Sequence, residues 1–327
     1  MKICIFGAGA IGGFLAAHLA RVEGLEISVV ARGPHLEAIR TSGLKVVSPR
    51  GNVAARPHAT DDARELGPQD YVFVTLKQHQ VTPALGDLAS LIGPSTVVLP
   101  PTTGIPYWYF HGLEGPHRGR QIELLDPGGR QWQVLGPERA IGCVYWVSAE
   151  VTEPGTIVHD GTFANFPIGE PDGSSSPRIN RLAVAMKDAG LQAPVVPDIR
   201  AWLWMKMISS LCWNPVATLT LATNGDIGRH PDVVDIVRRM FGEAEAVAAR
   251  FGVERMPMSV DERVGAALSI THHKMSMLQD LERSRPLEVD VLLNSITAMR
   301  DLGGAATPTI DLVYSLLKLR QAKLLRG

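Results

Sequence analysis

The 327-residue chain has little cysteine, no excess of either charge and no long uninterrupted apolar run. Each scarcity excludes something. The three cysteines, Cys4, Cys143 and Cys212, are widely spaced and form neither a CxxC pair nor a zinc pattern. They read as reduced thiols in a cytoplasmic protein. His272 and His273 are adjacent and would point apart, so no metal site is expected. Lys plus Arg total 32 and Asp plus Glu 33, which leaves no basic field for nucleic acid or a membrane surface. No stretch approaches the ~18 continuous apolar residues of a transmembrane helix. The opening "MKICIFGAGAIGGFLAAHLA" has the general look of a signal peptide, but four glycines interrupt its apolar run. No repeat or low-complexity segment stands out.

What is present is alternation. "KICIFG", "EISVVAR", "DYVFVTLK" and "STVVLPP" read as buried strands, and helical patterns cover Ala10 to Arg21, His35 to Ile39 and Thr82 to Leu91. Strands separated by short helices predict a parallel, doubly wound sheet. Residues 106–139 break the rhythm. The turn signal Asp126 to Gly129 predicts a hairpin or loop excursion there, with a lid as the sharper alternative. Short strands follow, then a helix from Arg178 to Ala189 and a last strand at "QAPVVPD". From Asp198 onward helical periodicity dominates. The expected fold class is therefore α/β: a Rossmann-type parallel-sheet domain over 1–197 and an all-α domain over 198–327.

Gly7, Gly9 and Gly12 form G-x-G-x-x-G directly after the first strand, at the start of a helix. In that context the glycines admit a pyrophosphate to the backbone, and the helix N-terminus favours its charge. An NAD site places Asp or Glu at the end of the second strand. Here Arg32 stands at that point, so a 2′-phosphate and NADPH are favoured over a merely solvated strand-end charge. Lys77 ends another strand, where it either faces the cofactor or is an ordinary surface lysine.

Lys206, Ser210 and Asn214 are spaced four apart in "LWMKMISSLCWNP". They form one polar helical stripe among large apolar residues. It is either a solvated face or part of a site at the domain boundary. Pro215 is expected to end or kink that helix. Further on, Ser276, Asp280, Glu288 and Asp290 add polar groups, and Glu288 after Pro286 suits a helix start.

Together these residues resemble the ketopantoate reductase family along essentially the whole chain. The resemblance rests on "GAGAIGG" (with Gly7, Ala8, Gly9, Ala10, Ile11 and Gly12), Arg32, "VTLK" with Lys77, "LWMKM" with Lys206, Asn214, "NG" at Asn224, "SMLQDL" at Ser276 and "LEVD" at Glu288. It implies a Rossmann domain and a helical domain with NADPH and a 2-oxo acid between them. It also implies that Lys206 is the catalytic lysine and Glu288 its carboxylate partner. Ser210, Asn214, Asn224 and Ser276 fall at substrate positions, and Arg32, Lys77 and Thr103 at cofactor positions.

Two residues depart from the pattern. Thr103 and Ser210 stand where the family has asparagines, and the swap of amide for hydroxyl suggests a different or bulkier substrate. The aromatic run Tyr107, Trp108, Tyr109 and Phe110 is expected as a possible pocket wall. A non-catalytic NADP-binding sensor is the reading from another class. A homodimer is implied by resemblance alone.

Overall fold

The first strand is apolar at four successive positions, Ile3 to Phe6, and all four are buried. A strand covered on both faces needs this, and it is the habit of parallel sheets. The computed structural model describes residues 1–101 and 103–324. Its strands in chain order are β1 (Lys2–Phe6), β2 (Glu26–Val30), β3 (Leu44–Val47), β4 (Val53–Ala55), β5 (His58–Thr60), β6 (Tyr71–Val74), β7 (Val97–Leu99), β8 (Gly142–Cys143), β9 (Trp146–Glu153), β10 (Thr156–Asn165) and β11 (Ile168–Gly169).

Five of them make a sheet in the order β5-β2-β1-β6-β7, with every pairing parallel. The chain leaves β1 toward β2 on one side and returns to β6 on the other. That reversal opens a crevice at the carboxyl end of β1, where doubly wound sheets bind ligands. The helix Ala10–Leu19 follows β1 and packs through Phe14, Leu15 and Leu19 into the core.

A second sheet, β4-β3-β10-β9, joins the same core through Val46 and Ile157. It was not foreseen in the region between β2 and β6, where β3 and β4 are short. A side chain on Gly13 would meet Ile157 Cδ1 at 2.6 Å, so the first helix lies close against β10.

Compactness divides the described chain into two units. One holds 1–101 and Pro106–Arg200; the other holds Thr103–Ile105 and 201–324. The last three positions of the expected 198–327 domain lie outside the described residues.

Several expectations change. Of the two forms expected for the excursion at 106–139, it takes the loop and not the hairpin: turns, 3-10 turns at Pro127–Gly129 and Pro137–Arg139, and a helix at Arg130–Leu135. Its aromatic run is not an open wall, because Tyr107, Trp108, Tyr109 and Phe110 are each 6% exposed or less. Arg200 explains the order there. Its buried guanidinium donates to the carbonyls of Tyr109 (2.9 Å), Pro171 (2.5 Å) and His111 (2.6 Å), and it lies over the Tyr109 ring. A buried cation needs such partners, and the excursion supplies two of the three. The expected Thr82 to Leu91 helix is broken into Gln78–Val81, a 3-10 turn at Thr82–Ala84 and Leu85–Ala89, with Pro83 at the break. "QAPVVPD" contributes only the isolated bridges of Gln192 and Val195.

The second unit is helical. Its elements are Ile199–Thr220 from Ala201 on, then Asn224–Gly228, Pro231–Ala249, Val260–Ser269, Ser276–Glu282, Val289–Gly303 and Pro308–Leu324. Glu243 caps the last helix, accepting from Thr309 N at 2.8 Å and Ile310 N at 3.0 Å. Pro215 does not end the lysine helix, which runs on to Thr220 with the proline inside. Proline has no N–H for the carbonyl four residues back, which is Leu211. Tyr314 supplies a replacement: its hydroxyl donates to the Leu211 oxygen at 3.2 Å in the buried core.

Candidate functional site

The glycine loop is shaped by contacts that no side chain could share. Gly7 has φ +104, and a Cβ there would meet Leu76 Cδ2 at 2.8 Å. A Cβ on Gly12 would lie 2.1 Å from the Gly7 oxygen and 2.4 Å from Thr75 Oγ1. Gly9 holds the N-cap position of the first helix, and a Cβ on it would enter open space. Ala10 and Ile11 form that helix's first turn, whose N–H groups lack partners within the helix. An anion fits such an end. Thr75, unremarked in the sequence, secures the loop by donating to the Gly7 oxygen at 2.6 Å.

A cavity of about 510 Å³ opens beside this loop. Gly7, Ala8, Gly9, Arg32, His35 and Gln80 are among its lining residues, and its size is that of a small-molecule site. Arg32 is at the rim, with its side chain 75% exposed and Nη2 3.6 Å from Asp87 Oδ2. No carboxylate occupies the end of β2, where Ala31 and Arg32 follow Val30. Lys77 is half-buried, its N–H donates to Gln80 Oε1 at 3.1 Å, and it is not among the lining residues.

Thr103 belongs with the helical unit. Beside it, a Cβ on Gly104 would lie 2.4 Å from Ser295 Oγ. Ser295 Oγ accepts from Ile105 N at 3.0 Å and donates to the Val291 oxygen at 2.8 Å. Ser295 therefore fixes the segment carrying Thr103. Nothing local in the sequence marks it, because its partner is 190 positions away.

Lys206 is half-buried on the helix Ile199–Thr220, between the buried Met205 and Met207. Desolvation pushes its ammonium below the ordinary lysine range, and the charge of Glu288 opposes that shift. Glu288 occupies the N-cap position of Val289–Gly303 but makes no side-chain cap bond there. Its carboxylate is therefore not spent on the helix end.

The rest of the polar stripe divides by role. The Asn214 amide donates to the Ser210 oxygen at 3.0 Å, and its Oδ1 accepts from Met277 N at 3.0 Å and Ser276 Oγ at 3.4 Å. Asn214 thus holds the start of the Ser276–Glu282 helix. Ser276 itself is exposed. Asn224 is 2% exposed. Its Nδ2 donates to the Ala267 oxygen at 2.9 Å, while its Oδ1 is buried without a hydrogen-bond partner. An unmet buried acceptor costs about 1–3 kcal/mol. A donor on a ligand would relieve that cost.

Comparison with known proteins agrees across both units. The family model for ketopantoate reductase PanE/ApbA matches residues 3–105, and that for its C-terminal part matches 198–321. A 2-dehydropantoate 2-reductase of Mesorhizobium japonicum is 46% identical, over 97% of this chain and 97% of its own. A structure solved as a candidate ketopantoate reductase from Ralstonia solanacearum superposes with TM-score 0.89 at 36% identity, covering 98% of each chain. The structure of 2-dehydropantoate 2-reductase from Geobacter metallireducens does so with TM-score 0.83 at 25% identity, covering 98% of this chain and 100% of the other. With the glycine loop at the switch point of a parallel sheet and the lysine on a helical unit, this chain belongs to the ketopantoate reductase family of oxidoreductases.

Proposed function

We propose that this protein reduces a 2-oxo acid to a 2-hydroxy acid with NADPH, and that the substrate is 2-dehydropantoate (ketopantoate), giving pantoate for pantothenate biosynthesis. The observation that carries the reading is Lys206, a desolvated ammonium with the Glu288 charge acting on it. In this reading residues 1–197 bind the dinucleotide and 198–327 carry substrate and catalysis. The residues of the cavity fit a dinucleotide: the loop of Gly7, Ala8, Gly9, Ala10, Ile11 and Gly12 takes the pyrophosphate, and Arg32 takes a 2′-phosphate. Lys77 and Thr103 serve the cofactor nearer its reactive end. Bound there, the reduced nicotinamide supplies a hydride.

The chain's own residues handle the oxygen. As the C2 carbonyl gains an electron pair, charge grows on its oxygen. Lys206 donates a hydrogen bond to that oxygen and then its proton. Glu288 keeps the lysine charged against desolvation. Ser276 meets the substrate carboxylate. The buried, unpartnered Asn224 oxygen accepts from the distal hydroxyl. Asn214 acts by holding Ser276 in place.

A second reading keeps the chemistry and changes the substrate. Ser210 and Thr103 present hydroxyls where the family pattern has asparagines, which favours a bulkier 2-oxo acid. NADPH oxidation with ketopantoate and a panel of 2-oxo acids decides. The highest kcat/KM on ketopantoate supports the first reading. A panel member ahead by about tenfold supports the second. A folded protein that binds NADPH yet turns over nothing overturns both.

A cytoplasmic location fits three buried, unpaired cysteines. No helix among the described residues is long and apolar enough to cross a membrane. A second copy of the chain is the proposed partner. Leu312, Leu316 and Leu319 are 64%, 53% and 63% exposed at one-turn spacing on the last helix. Light scattering of the purified protein at two concentrations checks this, and a strictly monomeric mass refutes it.

A further inference from the structure

His35 lines the cavity beside the glycine loop. It is half-buried in the first turn of the helix Gly33–Ser42. Its ring has two backbone neighbours. Nδ1 accepts from Gly155 N at 3.0 Å, and Nε2 lies 2.7 Å from the Ala8 oxygen. An amide N–H can only donate, so Nδ1 carries no proton. The proton of the neutral ring is therefore on Nε2, and it is donated to the Ala8 carbonyl.

Both partners matter to the cavity. Ala8 lies between Gly7 and Gly9, in the loop that would meet a pyrophosphate. A free carbonyl there would present negative partial charge to an anion. The His35 N–H engages that oxygen. The Gly7 and Ala8 N–H groups donate to the Val30 oxygen at 3.0 and 3.3 Å, so the N–H groups of the first helical turn are the ones that face a ligand. Gly155 sits in the turn between β9 and β10, and its oxygen accepts from Lys45 N at 2.8 Å. The second sheet thus provides a fixed point, 120 positions along the chain, from which the ring is oriented.

We propose that His35 is a positioning residue for the dinucleotide: it ties the Ala8 carbonyl to the second sheet and so holds the glycine loop in its anion-binding shape. It acts on cofactor affinity and not on the chemical step. This inference rests on the reading of the cavity as the cofactor site.

The test uses His35→Leu and His35→Gln in the full chain. NADPH Kd is measured by fluorescence titration, beside kcat and KM. His35→Leu should weaken NADPH about tenfold, the loss of roughly one hydrogen bond, with kcat within about twofold. His35→Gln should recover most of the affinity, because its amide both donates and accepts. An unchanged Kd in His35→Leu, or a Gln variant as weak as Leu, overturns the proposal. If the Leu variant does not fold, His35→Asn, too short to span both partners, takes its place against Gln. A folded wild-type protein that binds neither NADPH nor NADH overturns the cavity reading itself, a result distinct from an unchanged Kd in the variant.

Discussion

The two units are built for their tasks by different means. In the sheet unit the candidate site is made mostly of backbone. Gly7 and Gly12 are there because a Cβ would collide with Leu76 or the Gly7 oxygen, and the first helix offers its N-terminus. In the helical unit the proposed site is made of side chains, Lys206, Ser276, Asn224 and Glu288, on four separate elements. The first kind of site is intolerant of added atoms. The second is costly in electrostatics, since Lys206 is held below its ordinary pKa by desolvation. Substitutions in one should therefore damage shape and cofactor binding, and in the other substrate binding and chemistry.

The largest expected effect tests the chemical side. Lys206→Ala should lower kcat by about 10³, within the usual range for a lost general acid, and leave NADPH Kd unchanged. Because the folded state binds this proton less tightly than the unfolded chain does, the charged lysine costs stability. A wild-type kcat in Lys206→Ala would remove the lysine from the chemical step, and intact function of that variant in cells despite lost turnover would favour the non-catalytic sensor.

Glu288→Gln should come next, with kcat down about 10²-fold. Glu288 raises the Lys206 pKa, so its loss moves the alkaline limb of the kcat profile to lower pH. An unmoved limb would show that the two groups do not act as a pair.

The backbone side is probed by Gly12→Ala. A methyl 2.1 Å from the Gly7 oxygen forces the loop apart. Stability should fall by about 1–3 kcal/mol, and NADPH binding should fall with it. Calorimetry and titration on the same preparation check the two together. Wild-type values in both would remove the steric account of the loop.

The smallest effect separates fold from site within the helical unit. Tyr314→Phe leaves the Leu211 carbonyl buried without its donor, at a cost of about 1–3 kcal/mol. Chemical denaturation should show that loss while kcat stays near wild type.

Much of this was legible beforehand where the cause is local. The apolar runs of β1, β6 and β7, the glycine loop, and the helix at Pro177–Asp188 follow from burial patterns and steric rules spanning a few residues. Stretches whose partners are distant were not. Pro215 is a helix breaker by local rules, yet the helix continues because Tyr314, 103 positions on, satisfies the freed carbonyl. The aromatic run after Gly104 suggested a pocket wall, but Arg200 takes up the Tyr109 carbonyl and the rings pack in the core. The turn signal at Asp126 was real, but it precedes a helix and not a strand.

By itself, the sequence determined the class of the molecule: a glycine loop after a buried strand, an arginine in place of an acidic residue at the next strand end, and a lysine stripe on an amphipathic helix. Those features are set by sterics and periodicity along the chain. Only the tertiary structure decided which polar groups remain available. Asn214, one of three equivalent-looking stripe members, has its amide taken up by the backbone of Ser210 and Met277. Asn224 keeps a buried oxygen unmet, and Lys206 feels both desolvation and Glu288. The reason is that a polar atom's fate depends on what folding brings within about 3 Å of it. Spacing along the chain carries no record of that.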